Sequence, residues 1–197
     1  MIPVAKAPEP ANFDADVRQP GIAWLNSHPN AKPSKFEPYW TKCISDLGSL
    51  YNHICAYLAI SINKTLGADS VDHFIPKSNS AIGRQNTYEW DNYRLCCIGE
   101  NRKKNKKILP IDPFTMQPES FFIDFSDGRI YVNPAILPKS YRDDCDDAIK
   151  ILKLDEQDCR DMRKGYYSLY AHGHVDAVYM QRNAPFVWQE ICRQGLQ

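Results

Sequence analysis

The sequence predicts an α+β fold in which short strands lie among helices. Short segments rich in β-branched and aromatic residues, bounded by turn-forming residues, indicate the strands. Apolar residues that recur at three- and four-residue steps indicate the helices. The prolines give a third indication, because seven of the 14 in the chain lie before residue 40. Proline at this density blocks long elements, so an irregular N-terminal segment is predicted.

The N-terminal part of the chain, 1–52, is predicted to combine this irregular segment with one long helix. Roughly the first 34 residues hold only a short helix near 21–26. An amphipathic helix follows over about 35–52, because its apolar residues fall on one face. Those residues are Phe36, Tyr39, Trp40, Cys43, Ile44, Leu47, Leu50 and Tyr51.

The central part, 53–110, is predicted to contain a strand, a loop, a second strand and a helix. The predicted elements are, in order, a strand or buried segment at 54–62, a short strand at 71–76 that Pro76 ends, a polar loop at 77–86, a second strand within 90–97 and a helix at 100–107.

The C-terminal part, 111–197, is predicted to form a hairpin and helices, and the whole chain, 1–197, is predicted to be a single domain. Ser126-Asp127-Gly128 is a hairpin turn signal between two strand-like segments. The predicted elements are strands at 120–125 and 129–133, a helix over 143–170 with breaks near 154–155 and at Gly165, a helix at 175–182 and another near the end.

The overall composition is that of a soluble globular protein. Hydrophobic residues make up 43% of the chain, charged residues 24%, and the formal net charge is zero. Seven cysteines at irregular spacings argue against a secreted disulfide framework. No signal peptide is evident, and the longest apolar run, 54–60, is too short to cross a bilayer. A cytoplasmic protein without a membrane partner is therefore expected.

Charge is distributed unevenly along the chain. Basic residues are concentrated over 94–107, whereas acidic residues are concentrated over 143–161. The neutral total therefore hides a positive region and a negative one. The acidic stretch is either a docking surface or a solvated helix face, and the second interpretation is favoured.

The most informative motif is Asp72-His73, which is followed by Asn92 and Asn101. A histidine can take a proton from water near neutral pH, since its unperturbed pKa is about 6.5. A carboxylate and an amide oxygen suit a hard cation such as Mg²⁺. The neighbouring cations would attract a polyanion. The set predicts metal-assisted cleavage of phosphodiester bonds.

This ordered set resembles the HNH, or ββα-metal, nucleases in their Asp-His…Asn…Asn form. Asn101 lies nine positions after Asn92, which is the interval usual in that family. The resemblance implies a ββα-metal core within a mainly helical surround. It also implies an endonuclease that hydrolyses DNA with Mg²⁺ or Mn²⁺.

The resemblance implies a role for each motif residue. His73 would be the general base, and Asp72 and Asn101 would be the metal ligands. Asn92 would tie the two sides of the motif loop together and help to fix the histidine. Asn105, four positions after Asn101, is a reserve ligand. The cations expected to bind DNA phosphates are Arg94, Arg102, Lys103, Lys104, Lys106 and Lys107.

Structural interpretations stand beside these roles. His73 could be a strand histidine with its bonds satisfied, Asp72 an exposed turn residue, and Asn101 a helix N-cap. The basic run could be a solvated helix face, and for Asn105 a solvated position is favoured. Adjacent strand residues point to opposite faces, so Asp72 and His73 can serve one centre only at a distorted strand end. Pro76 fits such an end.

The chain departs from the commoner HNH form in its cysteines. Many members carry two Cys-x-x-Cys pairs around a structural zinc, whereas Cys55 and Cys97 stand alone in the corresponding places. Structural zinc needs four cysteine or histidine ligands, so no structural zinc is predicted. His53 is a remote candidate to join these two cysteines, and His172 and His174 are interpreted as loop residues.

Four outer motifs are similar to those of the PtuB-type HNH proteins, nuclease subunits of Septu antiphage defence and of some retron-linked systems. The resemblance implies antiviral defence and a PtuA-type ATPase partner that regulates cleavage. The motifs are Lys6-Ala7-Pro8-Glu9-Pro10, Glu89-Trp90-Asp91-Asn92-Tyr93-Arg94, Ile111-Asp112-Pro113-Phe114 and Ala184-Pro185-Phe186.

Two rival functions remain open at the level of sequence. One is a catalytically silent nucleic-acid-binding or scaffold subunit that keeps the HNH shape. The other is an RNA or tRNA nuclease, because the motif addresses the phosphate and not the 2′-hydroxyl.

Overall fold

A computed structural model describes residues 1–63, 68–136 and 138–197. The prediction of an α+β protein is confirmed, since helices are combined with two small antiparallel sheets. The chain divides into two compact units. The motif unit contains Lys6–His53 and Ile62–Ile108, and the hairpin unit contains Met1–Ala5, Ile54–Ser61 and Leu109–Gln197.

The start of the motif unit is more helical than predicted. A π-helical segment, Asp14–Arg18, runs directly into helix α1 (Gln19–Ser27). Pro20 lies at the start of α1, directly after the π-helical segment ends.

The helix predicted over 35–52 is much shorter in the structure. A 3₁₀ segment, Tyr39–Cys43, leads into helix α2 (Ile44–Leu50). Pro38 explains the late start, because a proline disfavours helical backbone at the residue before it. The helix ends before Asn52 and His53, whose φ angles of 52° and 54° are left-handed.

The predicted strand–strand–helix order is present in the motif unit. Strand β1 (Asp69–His73) pairs antiparallel with strand β2 (Tyr93–Cys97), with His73 opposite Tyr93. Helix α4 (Ile98–Lys104) begins immediately after β2. The predicted loop over 77–86 is wrong in part, because it contains helix α3 (Ser80–Gln85). A helix this short cannot display the apolar period that would reveal it.

An aromatic cluster forms much of the core beside β2. The ring of Phe13 meets Trp90 and Tyr93 edge-to-face, at centroid distances of 5.4 and 5.8 Å. All three side chains are buried. Pairs of this kind each contribute about 0.5–1.5 kcal/mol beyond the burial of area. The cluster therefore anchors β2, and with it the strand end that carries His73.

The hairpin unit has the predicted hairpin followed by four helices in the described part of the chain. Strands β3 (Phe121–Asp124) and β4 (Arg129–Val132) pair antiparallel around a turn in which Gly128 has a φ of 77°. The helices are α5 (Lys139–Leu152), α6 (Gln157–Ala171), α7 (Ala177–Asn183) and α8 (Pro185–Arg193). The predicted break near 154 is confirmed, and Lys153 is left-handed there. Gly165 does not break α6.

The segment predicted as a strand or buried stretch at 54–62 forms one isolated antiparallel bridge, between Ile54 and Ser61. Cys55, Ala56 and Tyr57 within it are buried. Over the residues that the structure describes, no helix has both the length and the apolar character needed to cross a bilayer.

Candidate functional site

A cavity of about 680 Å³ in the motif unit brings the sequence-predicted residues together. Asp72, His73 and Asn101 line it, although the last lies 28 positions or more from the first two along the chain. The walls come from β1, the turn after it, α4 and the segment around Trp40. Three residues that bear a carboxylate, an imidazole and an amide thus border one cavity.

His73 is buried and held in one orientation. Its Nε2 lies 2.9 Å from the carbonyl oxygen of Thr87. A carbonyl can only accept, so Nε2 carries the proton and Nδ1 is the nitrogen that can take one. The rings of Trp40 and Tyr93 meet the imidazole edge-to-face at 4.9 and 5.2 Å. The packing and the hydrogen bond together select one tautomer of the neutral ring.

The surroundings of His73 keep its ring neutral. Burial lowers the pKa of His73 most, and the positive charges of Lys77 and Lys104 lower it further, to about 3. The hydrogen bond to Thr87 opposes this shift. The imidazole is therefore unprotonated at pH 7, which is the state that a proton acceptor requires.

Asp72 is paired with a fully buried lysine. Nζ of Lys104 lies 3.0 Å from Oδ1 of Asp72 and 2.8 Å from the carbonyl oxygen of His73. Lys104 therefore differs from the expectation that it contacts DNA phosphates. The reason is that α4 starts directly after β2, which turns position 104 towards β1.

Asp72 and His73 point to opposite sides of β1, as neighbours in a strand must. The carboxylate faces α4, where Lys104 binds it, whereas the imidazole faces Thr87 and Trp40. Both nevertheless border the same cavity, because it runs along β1 and is lined by all five residues of the strand.

Asn101 lies on α4 beside β1. Its Nδ2 donates to Oγ of Ser70 at 2.6 Å and to the carbonyl oxygen of Val71 at 3.1 Å. With the nitrogen directed at the strand, Oδ1 is the atom suited to accept from, or coordinate, a ligand. The N-cap interpretation of Asn101 is wrong, because Cys97 is the N-cap of α4.

Asn105 does not continue the face of α4. The helix ends at Lys104, and Asn105 follows it with a φ of 50°. The predicted helix over 100–107 is therefore too long at its C-terminal end. Asn105 is exposed, and it lines the rim of the same cavity.

The donors in the cavity fit a hard divalent cation. Asp72 and Asn101 supply a carboxylate and an amide oxygen, and Mg²⁺ commonly uses one or two protein carboxylates and several waters. Within residues 1–63, 68–136 and 138–197, no three His, Cys, Asp or Glu side chains lie together so that they could hold a metal ion. The pair of Asp72 and Asn101 is a different kind of site, because one of its two ligands would be an amide oxygen. The ammonium of Lys104 would compete with a metal for Oδ1 of Asp72.

Asn92 clamps the segment that follows β1. Its Oδ1 accepts from the backbone N–H of Ile75 at 2.7 Å. Its Nδ2 donates to the carbonyl oxygens of Ile75 at 3.1 Å and Asn86 at 3.0 Å. The backbone carbonyl of Asn92 also accepts from Phe74. One buried amide thus joins the strand end that carries His73 to the end of α3.

The predicted phosphate-binding cations separate into buried and exposed groups. Arg94 is buried, donates to the carbonyl oxygens of Asp91 and Tyr93, and lies over the ring of Phe74. Lys103 forms an ion pair with Glu100 at 2.8 Å. The exposed members are Arg102, Lys106 and Lys107.

Three residues of the site were not singled out from the sequence. Thr87 orients His73 through its backbone carbonyl, and its own hydroxyl donates to the carbonyl oxygen of Gly83 at 2.8 Å. Trp40 belongs to the apolar face of the predicted helix over 35–52, and Lys77 belongs to the predicted polar loop over 77–86.

His53 has a different partner from the cysteines considered above. Its Nδ1 lies 2.8 Å from Oδ2 of Asp69, at the start of β1. Oδ1 of Asp69 is buried and has no hydrogen-bond partner among the described residues. Gly48 makes this close packing possible, because a Cβ there would crowd both side chains.

The chain was compared with models of protein families and with curated proteins, and neither comparison found a match.

Proposed function

We propose that this protein is a metal-dependent endonuclease that hydrolyses DNA. One observation carries the proposal: His73 has a neutral ring with Nδ1 as its basic nitrogen, in the cavity that Asp72 and Asn101 also line. Residues distant along the chain therefore supply a proton acceptor and two oxygen donors at one place. The resemblance of the motif to HNH nucleases points to the same chemistry.

The residues of the chain account for the proton transfer. Nδ1 of His73 accepts a proton from a water molecule as the water oxygen attacks phosphorus. The bond from phosphorus to the 3′ oxygen breaks, and that oxygen takes a proton from solvent. The products carry a 5′-phosphate and a 3′-hydroxyl, as the HNH resemblance implies.

Asp72 and Asn101 are the residues that would hold Mg²⁺ or Mn²⁺. When bound, the ion supplies Lewis-acid stabilisation of charge on the phosphate oxygens. Asn92 and Thr87 act on the position of His73, the first by clamping the strand end and the second by fixing the ring. Arg102, Lys106 and Lys107 are exposed cations suited to flanking phosphates.

The biological setting rests on the outer motifs alone. Their similarity to PtuB-type proteins supports a role in antiphage defence with a PtuA-type ATPase partner. A pull-down of the ATPase by this chain, followed by a nuclease assay of the complex with and without ATP, tests that role.

The test of the activity is a nuclease assay on plasmid, single-stranded DNA and RNA with Mg²⁺, Mn²⁺ or chelator. We expect His73→Ala to lower cleavage by at least about 10²-fold, the usual contribution of a general base. His28→Ala is the matched control, because His28 is exposed in the same unit. Cleavage by His73→Ala at the wild-type rate would remove His73 from its role. Preference for RNA would change the substrate class.

A second candidate is a catalytically silent nucleic-acid-binding subunit. The ion pair between Lys104 and Asp72 favours it, since the ammonium already balances the charge that a metal would balance. Isothermal titration with Mn²⁺ separates the two candidates. Heat of binding that disappears in Asp72→Asn supports the nuclease, whereas DNA binding without metal binding or cleavage supports the silent subunit.

A further inference from the structure

The side chain of Lys77 is held on the face of a tryptophan beside His73. Its Nζ lies 3.6 Å from the ring centroid of Trp40. The same tryptophan ring meets the imidazole of His73 edge-to-face at 4.9 Å. All three residues line the cavity. One aromatic ring therefore brings an ammonium close to the proposed proton acceptor.

The backbone of Lys77 is fixed as well as its side chain. Lys77 lies in a turn that is closed by a 2.8 Å hydrogen bond from the N–H of Asn79 to the carbonyl oxygen of Pro76. Gly83 of α3 packs against this turn. A Cβ at Gly83 would overlap the carbonyl oxygen of Pro76 and would lie 3.2 Å from the backbone of Lys77. Only a glycine allows the turn to approach α3 this closely.

The ammonium of Lys77 has donors to spare. An ammonium carries three N–H donors. The face of an aromatic ring attracts the positive charge of the ammonium but offers no oxygen or nitrogen lone pair to accept a hydrogen bond. In the described part of the chain, no carboxylate lies within ion-pair distance of Lys77, whereas Lys103 and Lys104 are paired with Glu100 and Asp72. The charge of Lys77 still reaches His73, whose pKa it lowers.

We propose that Lys77 binds the phosphate that is cleaved, with Trp40 holding its ammonium in place. This inference rests on the proposed nuclease function and names a further residue that contacts the substrate. The ammonium would donate to a non-bridging phosphate oxygen and offset the negative charge that builds up as water attacks. Lys32 and Lys106 also line the cavity, but they are exposed. Their side chains would therefore lose more conformational entropy than Lys77 on binding a phosphate.

The first test measures binding without cleavage. Fluorescence anisotropy with a labelled DNA duplex, in chelator and over a series of salt concentrations, gives the slope of log K against log salt. Each phosphate contact contributes about 0.9 to this slope. We expect Lys77→Met and Lys77→Gln to reduce the slope by about 0.9 and Lys77→Arg to retain it. Two neutral variants are used so that a folding defect in one does not decide the result.

The matched control is Lys42→Met. Lys42 lies over an aromatic ring in the same unit, with its Nζ 5.3 Å from the centroid of Tyr39. A slope in Lys77→Met and Lys77→Gln equal to that of the wild type would overturn the inference. An equal reduction in Lys42→Met would also overturn it, because the effect would then be one of general charge.

The second test measures cleavage under saturating metal. We expect Lys77→Met to lower kcat on the order of 10²-fold, as loss of a donor to a developing anion does elsewhere. Normal cleavage by Lys77→Met would show that the proposed function holds and this inference fails. Absence of cleavage by the wild type on every substrate, with the salt slope still dependent on Lys77, would overturn the proposed function and leave Lys77 as a phosphate contact in a protein that binds DNA without cutting it.

Discussion

The ammonium of Lys104 lies 3.0 Å from Oδ1 of Asp72, with 0% of the lysine side chain and 3% of the aspartate side chain exposed. Burial removes both charges from water, and each charge offsets part of that cost for the other. The same ammonium donates to the carbonyl oxygen of His73. Lys104 on α4 thus contacts both motif residues, and its charge lowers the net negative charge at the proposed metal site.

We expect Lys104→Met to lower the free energy of unfolding by about 3 kcal/mol, since it removes the ammonium that lies 3.0 Å from the buried carboxylate of Asp72. Urea unfolding in chelator at pH 7 measures this change. Lys6→Met is the control, because its ion pair with Asp91 is exposed, and such pairs contribute less than about 1 kcal/mol. Adding Asp72→Leu to Lys104→Met should recover much of the loss. Equal effects of the two lysine variants would contradict the prediction.

Asn92→Ala should also be destabilising, by about 2–3 kcal/mol, because the three partly buried hydrogen bonds of its amide to Ile75 and Asn86 are lost. Thermal or urea unfolding tests this. Asn86→Ala serves as the comparison, since its side-chain amide makes an exposed hydrogen bond to the carbonyl of Ile82 and the backbone carbonyl that Asn92 uses remains. A change within about 0.5 kcal/mol is expected there. If Asn92→Ala were as mild, the clamp would not stabilise the loop.

Gly83→Ala should displace the turn that carries Lys77, because the added Cβ overlaps the carbonyl of Pro76. A cost of about 1–3 kcal/mol is expected from such overpacking. Gly99→Ala is the matched variant in the same unit, since a Cβ at Gly99 would meet nothing within 4 Å. Alanine favours helix over glycine by up to about 1 kcal/mol, so Gly99→Ala should stabilise. Urea unfolding should show a lower free energy of unfolding for Gly83→Ala and a higher one for Gly99→Ala. Changes of the same sign in both variants would contradict the prediction.

The stability of the chelated protein should depend on pH through His73. The pKa of His73 is lowered to about 3 in the folded chain, chiefly by burial, against about 6.5 when unfolded. Between these values the unfolded chain binds a proton that the folded chain does not, so the free energy of unfolding falls as pH falls. Below about pH 6, His73 lowers the free energy of unfolding by up to about 1.4 kcal/mol for each unit by which the pH falls.

Urea unfolding between pH 7 and pH 4 measures this dependence as the difference between wild type and His73→Phe. Carboxylates titrate in the same pH range and affect both proteins. The effect of His73 is therefore the difference between the two proteins in how the free energy of unfolding changes with pH. His28→Gln controls for an exposed histidine of the same unit. Parallel pH profiles for wild type and His73→Phe would mean that His73 is not held neutral by the fold.

Local patterns in the sequence were sufficient for elements whose signal lies within a few neighbouring residues. Strand β2 after Asn92 and the hairpin around Gly128 were predicted close to their observed bounds, whereas strand β1 was predicted at 71–76 and lies at Asp69–His73. Helix α3 was missed because six residues are too few to show a period. The helix over 35–52 was overextended, because the apolar period continues across Pro38 although a helix cannot easily do so.

The ordered appearance of Asp72, His73, Asn92 and Asn101 was likewise visible in the sequence, since residue types and intervals are properties of the chain alone. The direction in which each side chain points was not. Lys104 and Arg94 read as members of one basic run, yet both are buried, because the start of α4 and the packing of β2 decide which positions face inward. The partner of His73 is a backbone carbonyl, and every residue type offers one. Only the tertiary structure could select Thr87, since a hydrogen bond depends on distance and angle, and neither is encoded in residue type.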